Sequence, residues 1–414
     1  MGMRSAKQEW AAMWPLPLTA MFGIAGVSLF AYSSGIFMEP MTAAFGWSRV
    51  EFSSAFTVMM VTGLVGAPIA GRCVDAFGAR KVALFGIVPF ALCLAALGLV
   101  NGPIWQWWAL AFAFALFTCC VSTPVWITPV VGRFQASRGL ALAVALAGIG
   151  VSQTIWPPLA TVYIGAFGWR LAFAALALTW AVPMLILALL FFRDRTESDA
   201  PGAGAAASAD PARTVEKGAY RKAFATRTFI CLMVAGSLFA CISYGTSIHL
   251  VPLLRQKGLG LGVAAGVISV TGISAIIGRL SIGLMLDRMS TRVISICVFA
   301  LPLLVALLLW RADNNLAVAL TAAAIFGLAN GAETDVIAYI ISRRFPHSMF
   351  ASIYATGASF IAVSASVGPL LAGGLFDRFG SYDYFLLAIV PMALASVVLV
   401  ALIPPLSAAE RGTR

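Results

Sequence analysis

The chain carries, from Gly272 to Arg288, the sequence GISAIIGRLSIGLMLDR, at the end of an apolar run that begins at about Leu261. That run extends to Leu286 and is long enough to cross a bilayer, which takes about 20 apolar residues. Arg279 stands eight residues before Asp287, and at about 1.5 Å per residue this places it roughly 12 Å deep. A guanidinium at such a depth costs at least about 2.5–3.5 kcal/mol. Arg279 must therefore face protein or a watery cavity, which makes it a candidate for a functional site.

The composition extends this conclusion to the whole chain. Of its 414 residues, 61% are hydrophobic and 10% are charged, and the mean hydropathy is +0.95. Soluble domains do not have this composition, so we expect an all-α polytopic membrane protein. The apolar runs predict twelve transmembrane helices at about 16–38, 51–74, 82–100, 105–131, 139–164, 171–192, 228–252, 261–286, 292–310, 315–342, 350–373 and 383–403.

The distribution of positive charge predicts the orientation. Twenty of the 27 Lys and Arg residues fall in the termini and the even-numbered loops, six fall in the odd-numbered loops, and Arg279 lies within a span. The positive-inside rule then places both termini in the cytoplasm. Topology accounts for the net charge of +11, and no nucleic-acid partner is needed to explain it.

The two halves of the chain repeat. Gly71 and Asp75 recur as Gly283 and Asp287, and several other matches share an offset close to 212 residues. We therefore predict an N-terminal six-helix bundle at 1–192, a cytoplasmic linker at 193–227 and a C-terminal six-helix bundle at 228–414. Duplicated units of this kind place a substrate site at their interface, near the middle of the membrane.

The pattern does not favour metal, cofactor or enzyme chemistry. Seven cysteines are scattered over the spans without CxxC spacing, and the chain has two histidines. We interpret the cysteines as packing residues rather than as disulfides or metal ligands. We expect no metal, no cofactor and no catalytic residue, because no nucleophile constellation or phosphate-binding loop is present.

The segment 71–81, GRCVDAFGARK, resembles the cytoplasmic loop signature of the major facilitator superfamily. A weaker second copy follows from Gly283, and the length, the twelve spans and the central linker agree with the resemblance. It implies two pseudo-symmetric six-helix bundles that rock against each other. It also implies gating roles for four charged residues: Asp75, Arg80, Asp287 and Arg288.

The segment 133–148, RFQASRGLALAVALAG, resembles the corresponding signature of the monocarboxylate transporters and of the related oxalate/formate-type exchangers. On this resemblance Arg279 matches the arginine of the eighth helix that binds a substrate carboxylate. The alternative is a permanent ion pair that holds helices together. The oxalate exchangers add a lysine on span 11, whereas residues 350–373 contain neither Lys nor Arg. We therefore expect a preference for monoanions.

Two acids lie deep in the membrane, both on span 10. Glu333 is ten residues before Arg343, or about 15 Å deep, and we expect it to carry a coupling proton and to pair with Arg279 when no substrate is bound. A structural salt bridge is the alternative. Asn330, one turn away on the same face, is a candidate substrate ligand. Asp335 lies about 200° round the helix from Glu333. We interpret Asp335 as mainly structural, with proton coupling as a second possibility.

Four further residues are candidates because of their position. His249, near the outer end of span 7, is expected to pass protons inward, with a vestibule residue as the alternative. Tyr32, Gln153 and Tyr354 lie on spans 1, 5 and 11, which line the cavity in this superfamily. We interpret them as substrate-binding residues, with simple packing as the alternative.

These patterns together predict a secondary active transporter of small monocarboxylates such as lactate or pyruvate, coupled to protons by rocker-switch alternating access. The alternatives are an organic-anion exchanger and an efflux pump for drugs or metabolites. The expected partners are the organic anion, protons and membrane lipid. We expect a monomer in the plasma membrane, which in a bacterium is the inner membrane.

Overall fold

The computed structural model describes residues 6–194, 223–286, 289–345 and 347–404, and these form helices and turns without any strand. The helices of the first half are α1 (Ala6–Met13), α2 (Pro15–Val27), α3 (Leu29–Phe45), α4 (Arg49–Phe77), α5 (Ala79–Ala96), α6 (Ile104–Cys120), α7 (Thr123–Arg133), α8 (Arg138–Leu146) and α9 (Gly148–Phe191). Those of the second half are α10 (Arg227–Gln256), α11 (Leu261–Leu286), α12 (Thr291–Trp310), α13 (Leu316–Arg344), α14 (His347–Phe379) and α15 (Asp383–Ala401).

Eleven helical segments among the described residues are long and apolar enough to cross a membrane. One of them, Arg138–Phe191, has 54 residues, or roughly 80 Å, which is more than twice a bilayer core. Gly168 breaks it, with φ 75° and ψ 164°, a conformation open essentially to glycine alone. This segment therefore supplies spans 5 and 6, and the twelve predicted spans are accounted for.

Two predicted spans are interrupted near their middle. Span 1 leaves helical geometry at Ser28, between α2 and α3. Span 4 breaks before Ser122, which has φ −66° and ψ 161° and is followed closely by Pro124 in the first turn of α7. A proline there has no N–H to continue the helical ladder. The Val125 N–H donates to the carbonyl oxygen of Ser122 at 3.0 Å, and the carbonyl oxygen of Val121 accepts instead from Trp126 Nε1 at 2.6 Å.

The chain divides into two compact units, which are Met1–Trp47 with Ala55–Arg213, and Ser48–Ser54 with Thr214–Arg414. Most of the predicted linker 193–227 lies outside the described residues. The assignment of Ser48–Ser54 to the second unit differs from the predicted bundles, which placed this segment in 1–192. In this segment, the backbone N–H groups of Arg49 and Val50 donate to the carboxylate of Asp377 at 3.0 and 2.8 Å.

Each unit has its own apolar core. In the first unit, aromatic rings dominate, and the rings of Phe37 and Phe173 stack with centroids 4.0 Å apart. In the second unit, Phe239 and Phe299 pack edge to face at 5.4 Å, among buried aliphatic side chains such as Val336. Aromatic pairs of this kind add stabilisation beyond the area that they bury.

Candidate functional site

Glycines hold α11, which carries Arg279, against α13. A Cβ on Gly331 would overlap the carbonyl oxygen of Ala275 and would come within 3.0 Å of the Arg279 backbone nitrogen. A Cβ on Gly278 would lie 2.6 Å from the carbonyl oxygen of Leu328. The two helices therefore meet backbone to backbone, an approach that small residues permit in membranes. This packing sets Arg279 beside the polar residues of α13.

The guanidinium of Arg279 faces Asp335. Nε of Arg279 and Oδ2 of Asp335 are 3.6 Å apart, and the two side chains keep 31% and 35% of their surface exposed. The buried Nε–H has no hydrogen-bond partner among the described residues. The two groups therefore form an ion pair whose N···O distance is slightly longer than that of a hydrogen bond. Part of each side chain therefore remains exposed.

The expectation that Glu333 would be the partner of Arg279 was wrong. Gly331 packs against α11, and Asp335 follows it by four residues and so shares its face of α13. Glu333 is turned away from that face by the helical rotation. Asp335, interpreted from the sequence as mainly structural, is the residue that the structure pairs with the arginine.

Glu333 is buried, with 8% of its surface exposed. Its Oε2 accepts a hydrogen bond from Thr334 Oγ1 at 3.2 Å, whereas Oε1 has no partner within the described part of the chain. The charges of Arg279 and Asp335 are close enough to act on it electrostatically. A buried carboxylate oxygen without a donor calls for an explanation, and a transferable proton is one.

Other helices of the second unit complete this polar group. Ser243 on α10 donates a hydrogen bond to Asn330 Oδ1, which leaves the amide N–H₂ of Asn330 as a donor. The hydroxyl of Tyr354 on α14 interacts electrostatically with Glu333, Asp335 and Arg279. The structure thus brings together five of the residues that the sequence singled out. It adds Ser243, which no sequence pattern marked.

Two candidates lie in the first unit. Gln153 on α9 is 4% exposed, and its Oε1 has no hydrogen-bond partner in the described residues. Tyr32 on α3 is half-buried. Trp156, one turn after Gln153, donates from Nε1 to the carbonyl oxygen of Ala25 at 2.8 Å and so fixes this part of α9 against α2. The substrate roles of Tyr32 and Gln153 stay predictions.

His249 on α10 is fully buried and hydrogen-bonded at both ring nitrogens. Nε2 lies 3.0 Å from the carbonyl oxygen of Pro369 and 3.1 Å from Ser53 Oγ, and Nδ1 lies 2.9 Å from the hydroxyl of Tyr382. Because a carbonyl only accepts, Nε2 carries the proton and Nδ1 accepts from the tyrosine. His249 is six residues beyond Ser243, about 9 Å along the helix, so it belongs to a different cluster from Arg279.

Of the four residues predicted to act in gating, the structure describes Asp75 and Arg80. Asp75 is exposed near the end of α4, while Asp287 and Arg288 lie outside the described residues. The backbone N–H of Arg80 donates to both carboxylate oxygens of Asp194 at 3.2 Å, and its Nη2 donates to the carbonyl oxygen of Leu189 at 2.8 Å. Asp194, which the sequence did not mark, therefore caps α5 and ties it to the end of span 6.

A family model described as Major Facilitator Superfamily matches residues 20–369 of the chain. The chain belongs to the major facilitator superfamily. It is therefore a multi-pass membrane transporter with the all-α fold of that family, as the resemblance predicted.

Three curated relatives illustrate what this transporter is similar to. Monocarboxylate transporter 13 of Rattus norvegicus is 26% identical over 390 residues, which cover 89% of this chain and 83% of the relative. An MFS-type transporter of Gibberella moniliformis is 24% identical over 334 residues, covering 78% and 74%. The agnestins efflux protein AgnL12 of Paecilomyces divaricatus is 24% identical over 377 residues, covering 89% and 82%.

Solved structures support the fold in the same way. The nucleoside transporter NupG, crystallised as a point mutant, matches with a TM-score of 0.74 and 12% identity, over 93% of this chain and 98% of that one. At that identity the likeness concerns the fold and not the substrate.

The facilitator also has a short N-terminal helix, α1, that the sequence did not predict to be docked. Glu9 is 4% exposed; its Oε1 accepts from the N–H groups of Gln135 and Ala136 at 3.0 and 2.9 Å. Oε2 accepts from the N–H and hydroxyl of Ser137, each at 3.0 Å. Burial alone would raise the pKa of Glu9, but hydrogen bonds from Ala136, Gln135 and Ser137 more than offset it and lower that pKa. Glu9 thereby anchors α1 on the turn that begins the segment 133–148.

Proposed function

We propose that this transporter carries small monocarboxylates across the membrane together with protons. The observation behind the proposal is the Arg279–Asp335 pair: the Arg279 side chain is partly exposed, and its Nε–H lacks a hydrogen-bond acceptor among the described residues. The planar fork of a guanidinium binds a carboxylate with two parallel hydrogen bonds. Relatives named as monocarboxylate transporters, from rat and mouse, support the same substrate class.

The number of cations favours monoanions. One guanidinium neutralises one carboxylate, and residues 350–373 contain no Lys or Arg that would take a second. A second carboxylate held in this part of the membrane without a partner would cost several kcal/mol (about 4–8 against cyclohexane for a polar group alone). Lactate-like and pyruvate-like anions are therefore expected to bind better than oxalate or malonate.

The same count of charges supports proton coupling. Asp335 already balances Arg279, and Glu333 is a second acid close by. A bound substrate adds a third carboxylate around a single cation, so substrate binding favours proton uptake by one of the two acids. We assign the coupling proton to Glu333, because one of its oxygens has no partner in the described structure, and we assign to Asp335 the role of resting counter-ion.

Uptake by proteoliposomes tests the proposal. The purified protein is reconstituted and offered labelled lactate, pyruvate, acetate, oxalate and malonate, each with and without an inward proton gradient. We expect monocarboxylate accumulation that depends on the gradient, and weaker competition by the two dicarboxylates. Equal accumulation without a gradient would contradict symport, and tighter binding of oxalate would contradict the substrate class.

A second candidate function is efflux of a larger organic anion. It is favoured by AgnL12, an efflux protein in name, whose identity and coverage are close to those of the monocarboxylate transporters. The same arginine would then bind the carboxylate of a bulkier molecule. Inside-out vesicles distinguish the two functions. An efflux pump takes up its substrate into such vesicles, and lactate should compete poorly with that uptake.

A further inference from the structure

Glu333 has one carboxyl oxygen for which the described residues supply no donor. Its Oε2 accepts from Thr334 Oγ1 at 3.2 Å, while Oε1 is buried without a partner. This arrangement suits the protonated acid, because a neutral carboxyl group costs far less to bury than a carboxylate. Once the proton leaves, Oε1 shares a buried negative charge and needs a donor. A residue that supplies this donor would control the release of the proton.

Tyr244 on α10 is placed to supply it. Ser243, its neighbour in the chain, donates to Oδ1 of Asn330, so α10 and α13 meet at this level. Since these helices are spans 7 and 10, they cross the membrane in opposite directions. Side chains in a helix lean toward its N-terminus. Tyr244 therefore leans inward and Glu333, one turn inside Asn330, leans outward, so the two side chains converge.

Charged and titratable groups act on Glu333 from its own helix and from three neighbouring ones. Arg279 on α11 and Asp335 on α13 interact with it electrostatically, and so does Tyr354 on α14. Tyr354 is shared with Arg279 and Asp335, whereas Glu333 is the charged group that acts on Tyr244. Tyr244 is 39% exposed, so its ring has room to turn.

We propose that the Tyr244 hydroxyl donates a hydrogen bond to Oε1 of Glu333 when the proton leaves, and so acts as a positioning residue for proton release. The proton passes from the carboxyl group to the cytoplasm, and the tyrosine keeps its own O–H bond, because a phenol holds its proton at neutral pH. The inference rests on the proposed function, in which Glu333 carries the coupling proton. It does not depend on which carboxylate is carried.

Tyr244→Phe removes the hydroxyl and keeps the ring. Infrared difference spectra of the purified protein in detergent report the carboxylic C=O band of Glu333, which is assigned by its loss in Glu333→Gln. We expect the midpoint of its titration to rise by about one pH unit in Tyr244→Phe, a tenfold change in proton concentration, because the ionised acid loses a hydrogen bond.

Tyr339→Phe is the matched control. It removes a hydroxyl from α13 itself, where the ring centre lies 5.2 Å from the Arg343 guanidinium, and should leave the midpoint at the wild-type value. An unchanged midpoint in Tyr244→Phe would overturn the inference. So would a Glu333 band that does not titrate in the wild type, or a rise of the midpoint in Tyr354→Phe alone.

Transport by proteoliposomes separates this inference from the proposed function. We expect Tyr244→Phe to keep the KM for lactate exchange within about twofold, while gradient-driven uptake falls by about tenfold and recovers when the internal pH is raised. A raised KM with an unchanged dependence on internal pH would make Tyr244 a substrate ligand and contradict the inference. If the wild type takes up no monocarboxylate, the proposed function fails, and the infrared midpoints still decide the role of Tyr244.

Discussion

Arg279 and Asp335 form a pair whose geometry leaves the arginine available. An ion pair with 3.6 Å between Nε and Oδ2 retains attraction but forgoes the short, directional hydrogen bond of a closed pair. On the proposed function, we expect a substrate carboxylate to bind the guanidinium without first breaking a short hydrogen bond.

Replacing Arg279 by lysine keeps the charge and removes the fork. We expect the KM of Arg279→Lys for lactate to rise by about tenfold to a hundredfold, the equivalent of one hydrogen bond to a charged group, about 1.5–3 kcal/mol. Initial rates of uptake measure this. The matched control is Arg311→Lys at an exposed loop position, which should leave the KM unchanged. An unchanged KM in folded Arg279→Lys would contradict the substrate role.

Glu333→Gln imitates the protonated acid permanently. The variant is expected to exchange internal for external substrate at near wild-type rates but to lose accumulation driven by a proton gradient, because no proton can be released. Counterflow and gradient-driven uptake are measured on the same proteoliposomes. Asp335→Asn is the comparison: if that variant loses coupling while Glu333→Gln still accumulates substrate, the proton is carried by Asp335.

At these residues the sequence did not predict which side chains would pair. The distance of Arg279 and Glu333 from charged helix ends predicts only how deep in the membrane they lie. The partner of Arg279 depends on which face of α13 meets α11, and that is decided by the contact between Gly331 and Ala275. A single helix contains no information about this rotation, so Glu333 was chosen where Asp335 was correct.

Helix boundaries were predicted well where a special residue marks them. Spans 5 and 6 were expected to end and begin at 164 and 171, and the structure breaks the helix at Gly168. The docked helix α1 was missed, because the partners of Glu9 lie 126 to 128 residues further along the chain.

Gly168→Ala isolates the cost of this backbone conformation. No atom lies within 4 Å of the added Cβ, so the strain of a positive φ remains, about 1–3 kcal/mol of unfolding free energy. Gly165→Ala is the control, since it is equally free of neighbours but lies in a helix, where alanine is favoured. Thermal unfolding in detergent should show Gly168→Ala alone destabilised; equal midpoints would contradict the prediction.

Glu9→Gln tests the attachment of α1. Because the folded state lowers the pKa of Glu9, its ionised form stabilises docking above the ordinary glutamate pKa of about 4.3, and this contribution is lost as the pH falls through the folded value. At neutral pH we expect faster hydrogen exchange at residues 135–137 in Glu9→Gln than in the wild type.

The difference in hydrogen-exchange rate between Glu9→Gln and the wild type should shrink in acid. Lys7→Gln, an exposed change on the same helix, should leave the exchange rates alone. A difference for Glu9→Gln that persists unchanged far below pH of about 4 would contradict the assignment.

For the whole molecule, the hydrophobic pattern was sufficient to predict a twelve-span membrane protein, because burial in lipid demands long apolar helices, and the segment 71–81 added the resemblance to the superfamily. It did not predict that Ser48–Ser54 contacts the second half of the chain. The backbone N–H groups of Arg49 and Val50 donate to Asp377, which lies 328 and 327 positions further along the chain. No local periodicity in the sequence indicates a contact of that range.

The distribution of positive charge makes a prediction at this scale. With 20 of 27 Lys and Arg residues in the termini and even-numbered loops, both termini should lie in the cytoplasm. In a bacterial host, a green fluorescent protein fused after residue 414 should fluoresce, and alkaline phosphatase at the same place should be inactive. Active phosphatase there would reverse the assigned topology.

The glycine contacts between α11 and α13 have one more consequence. Helices that touch backbone to backbone at Gly278, Gly327 and Gly331 cannot slide past each other without collision, so the cation and its counter-ion travel as one rigid piece. If an anion binds at Arg279, we expect it to meet the same pair of charges from either side of the membrane. A carrier with equal affinity on both faces has no built-in direction, and net flow is set by the gradients of anion and proton alone.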